Sequence, residues 1–103
     1  MHLCDYQNSA MSFRLASADK LYSLLGLSGE VGELHSLFAK AIRDNNGNVD
    51  VNMVKKELGD ILWFVAAIAT DFGFGLDEIA SLNIQKLQSR QLRNKIQGSG
   101  DER

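Results

Sequence analysis

The feature that most constrains this chain is a long run of apolar residues at helical spacing, in a sequence without proline. After Asp50 the apolar positions recur at intervals of three and four, which places them on one face of a helix. Asp50 is the expected N-cap and Gly73 the expected end, so the pattern predicts a helix over about 51–72. The apolar positions are Val54, Leu58, Ile61, Leu62, Val65, Ile68, Ala69 and Phe72.

A second helix with the same rhythm precedes this one. Ser17 is its expected cap, and Asn45, Asn46 and Gly47 are expected to end it, because these residue types favour turns. Its apolar positions are Leu21, Leu24, Leu25, Val31, Leu34, Phe38 and Ile42. The loop between the two helices is only about six residues long, so they are predicted to pack antiparallel as a hairpin.

Two shorter helices complete the predicted fold. One follows Gly75 and runs to about Arg93, and a shorter pattern predicts another over about 5–15. The predicted buried side of the last helix comprises Leu76, Ile79, Ala80 and Leu87. The polar tail over 97–103 has no helical pattern and is predicted to be flexible or draped over a partner. Strand patterns are absent, so the predicted fold class is all-α with four helices.

Composition limits the partners that this chain can have. Its 103 residues make one domain, too short to bury a deep core alone, so we expect a partner subunit to complete it. The net charge of −2 argues against nucleic-acid binding. No apolar run approaches the ~18 residues of a membrane helix. Cys4 is the only cysteine and no signal peptide is apparent, so we expect a cytoplasmic protein.

Four carboxylates carry the clearest chemical signal. Glu30 and Glu33 are three residues apart on one predicted helix face, and so are Glu57 and Asp60 on the next helix. In an antiparallel hairpin these pairs lie at similar heights and can face each other. Four converging carboxylates repel one another unless a cation is bound. Because hard divalent cations take oxygen ligands, the spacing predicts one site for Mg²⁺, with Mn²⁺ as a possible substitute.

The simplest alternative is that these acids are solvated side chains on exposed helix faces. Apolar residues flank both pairs, which argues for an inward-facing acidic surface. Glycines also recur around both pairs, although each glycine inside a helix costs about 1 kcal/mol relative to alanine. Such glycines make sense where a backbone or a ligand must approach closely. They are Gly26, Gly29, Gly32 and Gly59.

A di-iron site is a second alternative, because it also gathers carboxylates from helices. It requires Glu-x-x-His motifs, and neither acidic pair contains that histidine. His35 is better interpreted as an ordinary surface or interface residue. A purely oxygen ligand set therefore favours Mg²⁺ over iron or zinc.

Other residues are candidates for substrate contacts. On the last helix, Asn83, Lys86 and Arg90 form one polar stripe, which is either solvated or suited to phosphate through a point charge and a guanidinium fork. Lys40 lies about two turns beyond the first acidic pair and is a further candidate for phosphate. Trp63 follows the second pair closely and could stack on a base, although such aromatics are more often core or interface residues.

Together these motifs resemble the MazG-like branch of the all-α nucleotide pyrophosphohydrolases. The family signature, Glu-x-x-Glu and then Glu-x-x-Asp, corresponds to the two acidic pairs with their flanking glycines. The family's later motif, Asn-x-x-Lys-Leu followed by Arg, corresponds to Asn83, Lys86, Leu87 and Arg90. The closing segment 98–103 looks like the tail of many members, so the resemblance spans most of the chain.

This resemblance implies a MazG-like four-helix bundle completed by homo-oligomerisation, as a dimer or a dimer of dimers with pockets shared between subunits. It implies hydrolysis of a nucleoside triphosphate, usually a deoxynucleotide, to the monophosphate and pyrophosphate, for sanitation of the nucleotide pool. The four acids would hold Mg²⁺ and the polar stripe would contact the triphosphate. Either Glu33 or Glu57 would orient the attacking water, and spacing does not choose between them.

Two alternatives to this function stay open. The first is a non-catalytic homodimeric helical module whose acids form structural salt bridges. The second, within the same enzyme class, is a hydrolase of dUTP or of a phosphoribosyl nucleotide.

Overall fold

The computed structural model describes residues 1–94 and 96–103. It contains four helices, α1 (Leu3–Met11), α2 (Lys20–Asp44), α3 (Val51–Asp71) and α4 (Leu76–Leu92). The described residues include no strand, so the predicted all-α class with four helices is confirmed.

The hairpin of α2 and α3 is the framework of the fold. Asn46 and Gly47 both adopt positive φ angles, and the N–H groups of Asn45 and Gly47 both donate to the carbonyl of Ala41. These bonds satisfy a carbonyl at the end of α2 and reverse the chain. The carboxylate of Asp50 then accepts from the second residue of α3 at 2.9 Å. The predicted turn and the predicted cap of α3 are both confirmed.

The start of α2 differs from the prediction. Asp19, not Ser17, is the N-cap, and its carboxylate accepts from the backbone N–H of Tyr22 at 3.0 Å. Ser17 lies in the turn before it, where its carbonyl accepts from the N–H of Asp19. An aspartate at this position satisfies an unpaired N–H and also places negative charge at the positive end of the helix.

The first helix is shorter than predicted and lies earlier, ending at Met11 rather than near residue 15. Beyond it, the side chain of Arg14 donates to the carbonyl of Ala18, and to the hydroxyl of Ser23 at 3.0 Å. It also pairs with Asp71 at 2.9 Å. These contacts with α2 and α3 draw the chain away from a helical path, a tertiary effect that local periodicity does not contain.

The fourth helix bends sharply away from the third. Gly75, its N-cap, has no side chain to offer, and Gln7 of α1 supplies the missing acceptor through Oε1 to the N–H of Leu76 at 2.8 Å. The amide nitrogen of Gln7 donates to Thr70 and to the carbonyl of Phe74. A buried glutamine therefore joins α1 to both helices at the bend. No single described helix could span a membrane by length and apolarity, and only α3 with α4, at 101°, meets that criterion as a pair.

Little of the apolar surface is buried within one chain. The main helix contacts join α2 to α3, α1 to α3, and α1 to α4. On the predicted buried side of α4, Leu76 is 4% exposed, whereas Ile79 and Leu87 are 37% and 40% exposed, so that part of the prediction is wrong for a single chain. Many apolar residues of α2 are exposed as well, including Leu21, Leu24, Leu25, Phe38 and Ile42. The helices thus present apolar faces that their own chain leaves uncovered.

The tail folds back towards α4, a contact that the sequence did not indicate. Gly98 and Gly100 adopt positive φ angles of 119° and 88°, which reverse the chain. Asp101 then reaches Lys86 and Arg90 on α4.

Candidate metal centre

Three carboxylates meet between α2 and α3. Glu30, Glu57 and Asp60 each offer one oxygen, and the three oxygens all lie within 4.8 Å of one another. Glu30 comes from α2 and the other two come from α3, so the antiparallel hairpin brings the acids together as predicted. Residues three apart on a helix share a face, which explains why both α3 acids point the same way.

The environment of this cluster opposes its negative charge. Burial raises the pKa of Glu30, and the charges of Asp60 and Glu57 raise it further, together with a hydrogen bond shared with Glu57. One oxygen of Glu57, Oε2, is buried and has no hydrogen-bond partner among the described residues. A buried carboxylate oxygen without a partner is costly, because it has lost water and gained nothing in exchange.

A divalent cation fits these donors. All three groups are carboxylates, the ligands that Mg²⁺ and Mn²⁺ prefer. Opposite oxygens around Mg²⁺ are about 4.2 Å apart, twice the bond length of about 2.1 Å, so a span of 4.8 Å needs only a small contraction. A cation would also give the orphaned oxygen of Glu57 a partner and relieve the repulsion that raises the pKa of Glu30.

Glu33, the predicted fourth member, lies outside this group of three. Its side chain is exposed, yet its charge is close enough to contribute to the raised pKa of Glu30. Three residues along a helix correspond to a rotation of about 300°, so Glu33 lies about 60° around α2 from Glu30. The structure therefore gathers three of the four predicted carboxylates and leaves the fourth at the rim.

The glycines around the acids serve different purposes. At Gly26, a Cβ would collide with the ring of Phe64, so glycine is required for α3 to pack closely here. At Gly29, Gly32 and Gly59, a Cβ would meet nothing within 4 Å. The predicted close approach of another helix is therefore found at Gly26, where Phe64 of α3 packs against the backbone of α2. The other three glycines border open space.

Aromatic residues next to the acids hold the helices together. The indole N–H of Trp63 donates to the carbonyl of Ala10 at 3.0 Å, which fixes α1 against α3. Its ring also meets the ring of Phe64 edge to face, with centroids 5.1 Å apart. The sequence left Trp63 as either a base-stacking candidate or a packing residue, and in this structure its contacts are those of a packing residue.

Tyr6 of α1 is a neighbour of the acids that the sequence did not single out. Burial raises the pKa of its phenol, and the negative charge of Asp60 raises it further. Its side chain also packs against the small apolar core formed around Ala66 and Ala69. Nothing in the local pattern of α1 distinguishes Tyr6, because its position follows from the packing of α1 on α3.

The predicted phosphate-binding residues have their own surroundings on α4 and α2. Asn83 and Lys86 line a cavity of about 420 Å³ on α4, together with Asp101 of the tail, and none of the four carboxylates lines it. Arg90 is only 5% exposed and contacts Asp101. Lys40 is exposed near the end of α2, where its charge acts on Asp44. The cavity beside Asn83 and Lys86 and the group of three carboxylates therefore share no residue.

Comparisons with known proteins concern both the four carboxylates and the polar stripe of α4. The family model described as "MazG nucleotide pyrophosphohydrolase domain" matches residues 19–93, which include all four acids and the polar stripe of α4. A protein of Mycobacterium phage L5, described as "Gene 37 protein", is 40% identical over 85 residues, covering 80% of this chain and 75% of that relative. No solved structure matches the chain.

Proposed function

The chain belongs to the MazG nucleotide pyrophosphohydrolase family, and from this premise we propose that it cleaves a nucleoside triphosphate to the monophosphate and pyrophosphate. The proposed substrates are deoxynucleotides as well as ribonucleotides, and the proposed role is sanitation of the nucleotide pool. The reaction is proposed to depend on Mg²⁺, with Mn²⁺ as a substitute.

One observation carries the proposal, namely the three carboxylate oxygens of Glu30, Glu57 and Asp60 within 4.8 Å of one another. Bound to such oxygens, a divalent cation neutralises phosphate charge and lowers the pKa of a bound water. Glu33 is proposed as a fourth ligand, because its exposed side chain lies one turn from Glu30 and its charge contributes to the raised pKa of Glu30.

The chain's own residues are proposed to divide the remaining tasks. Glu33 or Glu57 is proposed to orient the attacking water and to take its proton, as a positioned carboxylate can. Lys86 and Arg90 bind the triphosphate and stabilise the charge on departing pyrophosphate. Asn83 donates to a phosphate oxygen beside Lys86, with which it shares a cavity wall.

A homodimer, or a dimer of dimers, is proposed to bring these parts together. Within one chain the cavity beside Lys86 is lined by none of the four candidate metal ligands, which supports a site completed by a second protomer. The exposed apolar residues of α4, such as Leu82 at 59% and Ile84 at 54%, offer a surface for that association. Burying them would add to a core that is small in the single chain.

The test is release of pyrophosphate from a panel of ribonucleoside and deoxynucleoside triphosphates, with and without Mg²⁺. We expect Glu57→Gln to lower turnover by about 100-fold or more, because even disturbing the support of a metal ligand costs about 10–100-fold. Glu102→Gln is the matched control, since Glu102 is an exposed acid on the tail. Turnover that survives Glu33→Gln and Glu57→Gln together would refute the site.

A second measurement separates an enzyme from a non-catalytic helical module. A ligand that binds only the folded state raises its stability, by about 2.7 kcal/mol at a concentration 100 times its Kd. We expect Mg²⁺ to raise the melting temperature of the wild type and of Glu102→Gln, but not that of Glu57→Gln. A melting temperature indifferent to Mg²⁺ in all three proteins would favour structural acids.

A further inference from the structure

The two cations assigned to the triphosphate are both engaged by one carboxylate of the tail. Lys86 Nζ lies 2.7 Å from Asp101 Oδ1, and Arg90 Nη2 lies 3.1 Å from the same oxygen. Arg90 Nη2 also donates to the backbone carbonyl of Asp101. The hydrogen bonds from Lys86 and Arg90 hold the pKa of Asp101 below its usual value, so this carboxylate is an anion at neutral pH.

Asp101 leaves part of the hydrogen-bonding capacity of Arg90 unused. The side chain of Arg90 is 6% exposed, and its Nε is buried with no hydrogen-bond partner among the described residues. A guanidinium fork binds an anion best through two parallel N–H groups, and here the carboxylate uses one nitrogen only. The adjoining cavity of about 420 Å³ leaves room for further phosphate groups beside Asn83 and Lys86.

The tail is attached to α4 through a small number of polar contacts. The side chain of Asp101 is 75% exposed, so solvent screens its ion pair with Lys86, which is 38% exposed. Arg90 is 6% exposed, so its pair with Asp101 is screened less. The tail reaches α4 through two glycines with positive φ angles, Gly98 and Gly100, around which the chain turns with little steric cost. Detaching the tail would break the contacts of Asp101 with Lys86 and Arg90. It would also break the hydrogen bond from Arg93 Nη2 to the carbonyl of Arg103. It would leave both cations without their carboxylate partner.

We propose that Asp101 is a built-in competitor for the anion site formed by Lys86 and Arg90, and that the tail must detach before a substrate phosphate binds there. This inference rests on the proposed function for the identity of the phosphate, and it adds a regulatory contact to the same site. When a binding site is open for only a fraction of the time, the apparent Kd equals the intrinsic Kd divided by that fraction. Removing the competitor therefore tightens binding.

The experiment compares Asp101→Asn with Glu102→Gln by calorimetric titration of the full chain with inorganic pyrophosphate in metal-free buffer. Both variants remove one negative charge from neighbouring tail positions, and only Asp101 contacts the cations. If the tail is closed about 70–90% of the time, Asp101→Asn binds pyrophosphate about three- to tenfold more tightly than the wild type. Glu102→Gln is expected to match the wild type within about twofold, because Glu102 is exposed and makes no ion pair with any residue that the structure describes.

Two outcomes would overturn the inference. Equal affinities for Asp101→Asn and Glu102→Gln would show that Asp101 does not compete, and weaker binding by Asp101→Asn would show that it helps to hold the anion. The double variant Asp101→Asn with Arg90→Ala is expected to lose the gain, and retention of the gain would place pyrophosphate elsewhere and also contradict the inference.

Turnover of nucleoside triphosphates, measured on the same proteins with Mg²⁺, separates this inference from the proposed function. Absence of turnover in every variant, together with the expected order of pyrophosphate affinities, would refute the enzyme and leave the competition standing. Turnover in the wild type, together with equal pyrophosphate affinities in all variants, would support the enzyme and refute the competition by Asp101. If both hold, Asp101→Asn lowers KM while kcat stays the same, because the competitor acts on free enzyme only.

Discussion

Gly26→Ala tests the packing that positions the metal centre. A Cβ at this position would lie 2.9 Å from Cδ1 of Phe64 and closer still to Cε1 and Cζ of the ring. The ring has little freedom to retreat, because it meets Trp63 edge to face and lies 6.1 Å from the ring of Tyr22. The substitution therefore forces α2 away from α3, one turn before Glu30.

The size of the effect follows from a comparison with Gly29→Ala. Each substitution gains about 1 kcal/mol of helix propensity. Overpacking a close contact costs about 1–3 kcal/mol, and only Gly26→Ala has that cost, since a Cβ at Gly29 meets nothing within 4 Å. The two variants are thus expected to differ by about 1–3 kcal/mol in free energy of unfolding, with Gly29→Ala the more stable.

The assay is urea unfolding of both variants and the wild type at one protomer concentration, because association changes apparent stability. Replacing Phe64 by leucine in the Gly26→Ala background is expected to recover part of the loss, as residues in contact do not act additively. Equal stabilities for Gly26→Ala and Gly29→Ala would refute the close approach. A double variant that shows no recovery would refute Phe64 as its cause.

Three further predictions concern charge and the helix ends. Because the pKa of Glu30 is raised in the folded state, the metal-free protein is expected to gain stability as pH falls through that raised value towards 4.5. Saturating Mg²⁺ should abolish this gain. Melting curves from pH 4 to 8 test the prediction, and a gain that persists with Mg²⁺ contradicts it. Arg14→Ala is expected to cost about 3 kcal/mol in urea unfolding, because it strands Asp71, which is largely buried. Arg43→Ala, at an exposed pair, should cost under about 1 kcal/mol, and similar costs for both would be contrary evidence. Gln7→Ala is expected to cost about 1–3 kcal/mol and to speed hydrogen exchange at the start of α4, and unchanged exchange there would disprove its capping role.

The site was predictable from the sequence wherever it depends on helical spacing and a short loop. Residues three apart on α3 share a face, so Glu57 and Asp60 had to point the same way. The loop after Asp44 is too short for anything except an antiparallel neighbour, which brought Glu30 opposite them. Glu33 has the same spacing from Glu30, yet it lies outside the group of three, so spacing alone did not decide its place.

What lay beyond prediction depends on contacts between distant segments. Tyr6 comes near Asp60, and Gln7 caps α4 from 69 residues away, only because α1 packs at the bend between α3 and α4. Arg14 likewise ends the path of the first helix through a partner 57 residues along the chain. No window of local sequence contains such pairs, so periodicity placed the end of α1 too late.

The sequence by itself determined four helices, the antiparallel hairpin and an acidic face, because helical period, capping residues and loop length act within a few residues of each other. The tertiary structure decided the rest. It grouped three carboxylates and left a Glu57 oxygen without a partner, turned α4 by 101° with its apolar face uncovered, and brought Asp101 onto Lys86 and Arg90. These features depend on contacts between segments far apart in the chain, and such contacts form only when the helices pack together.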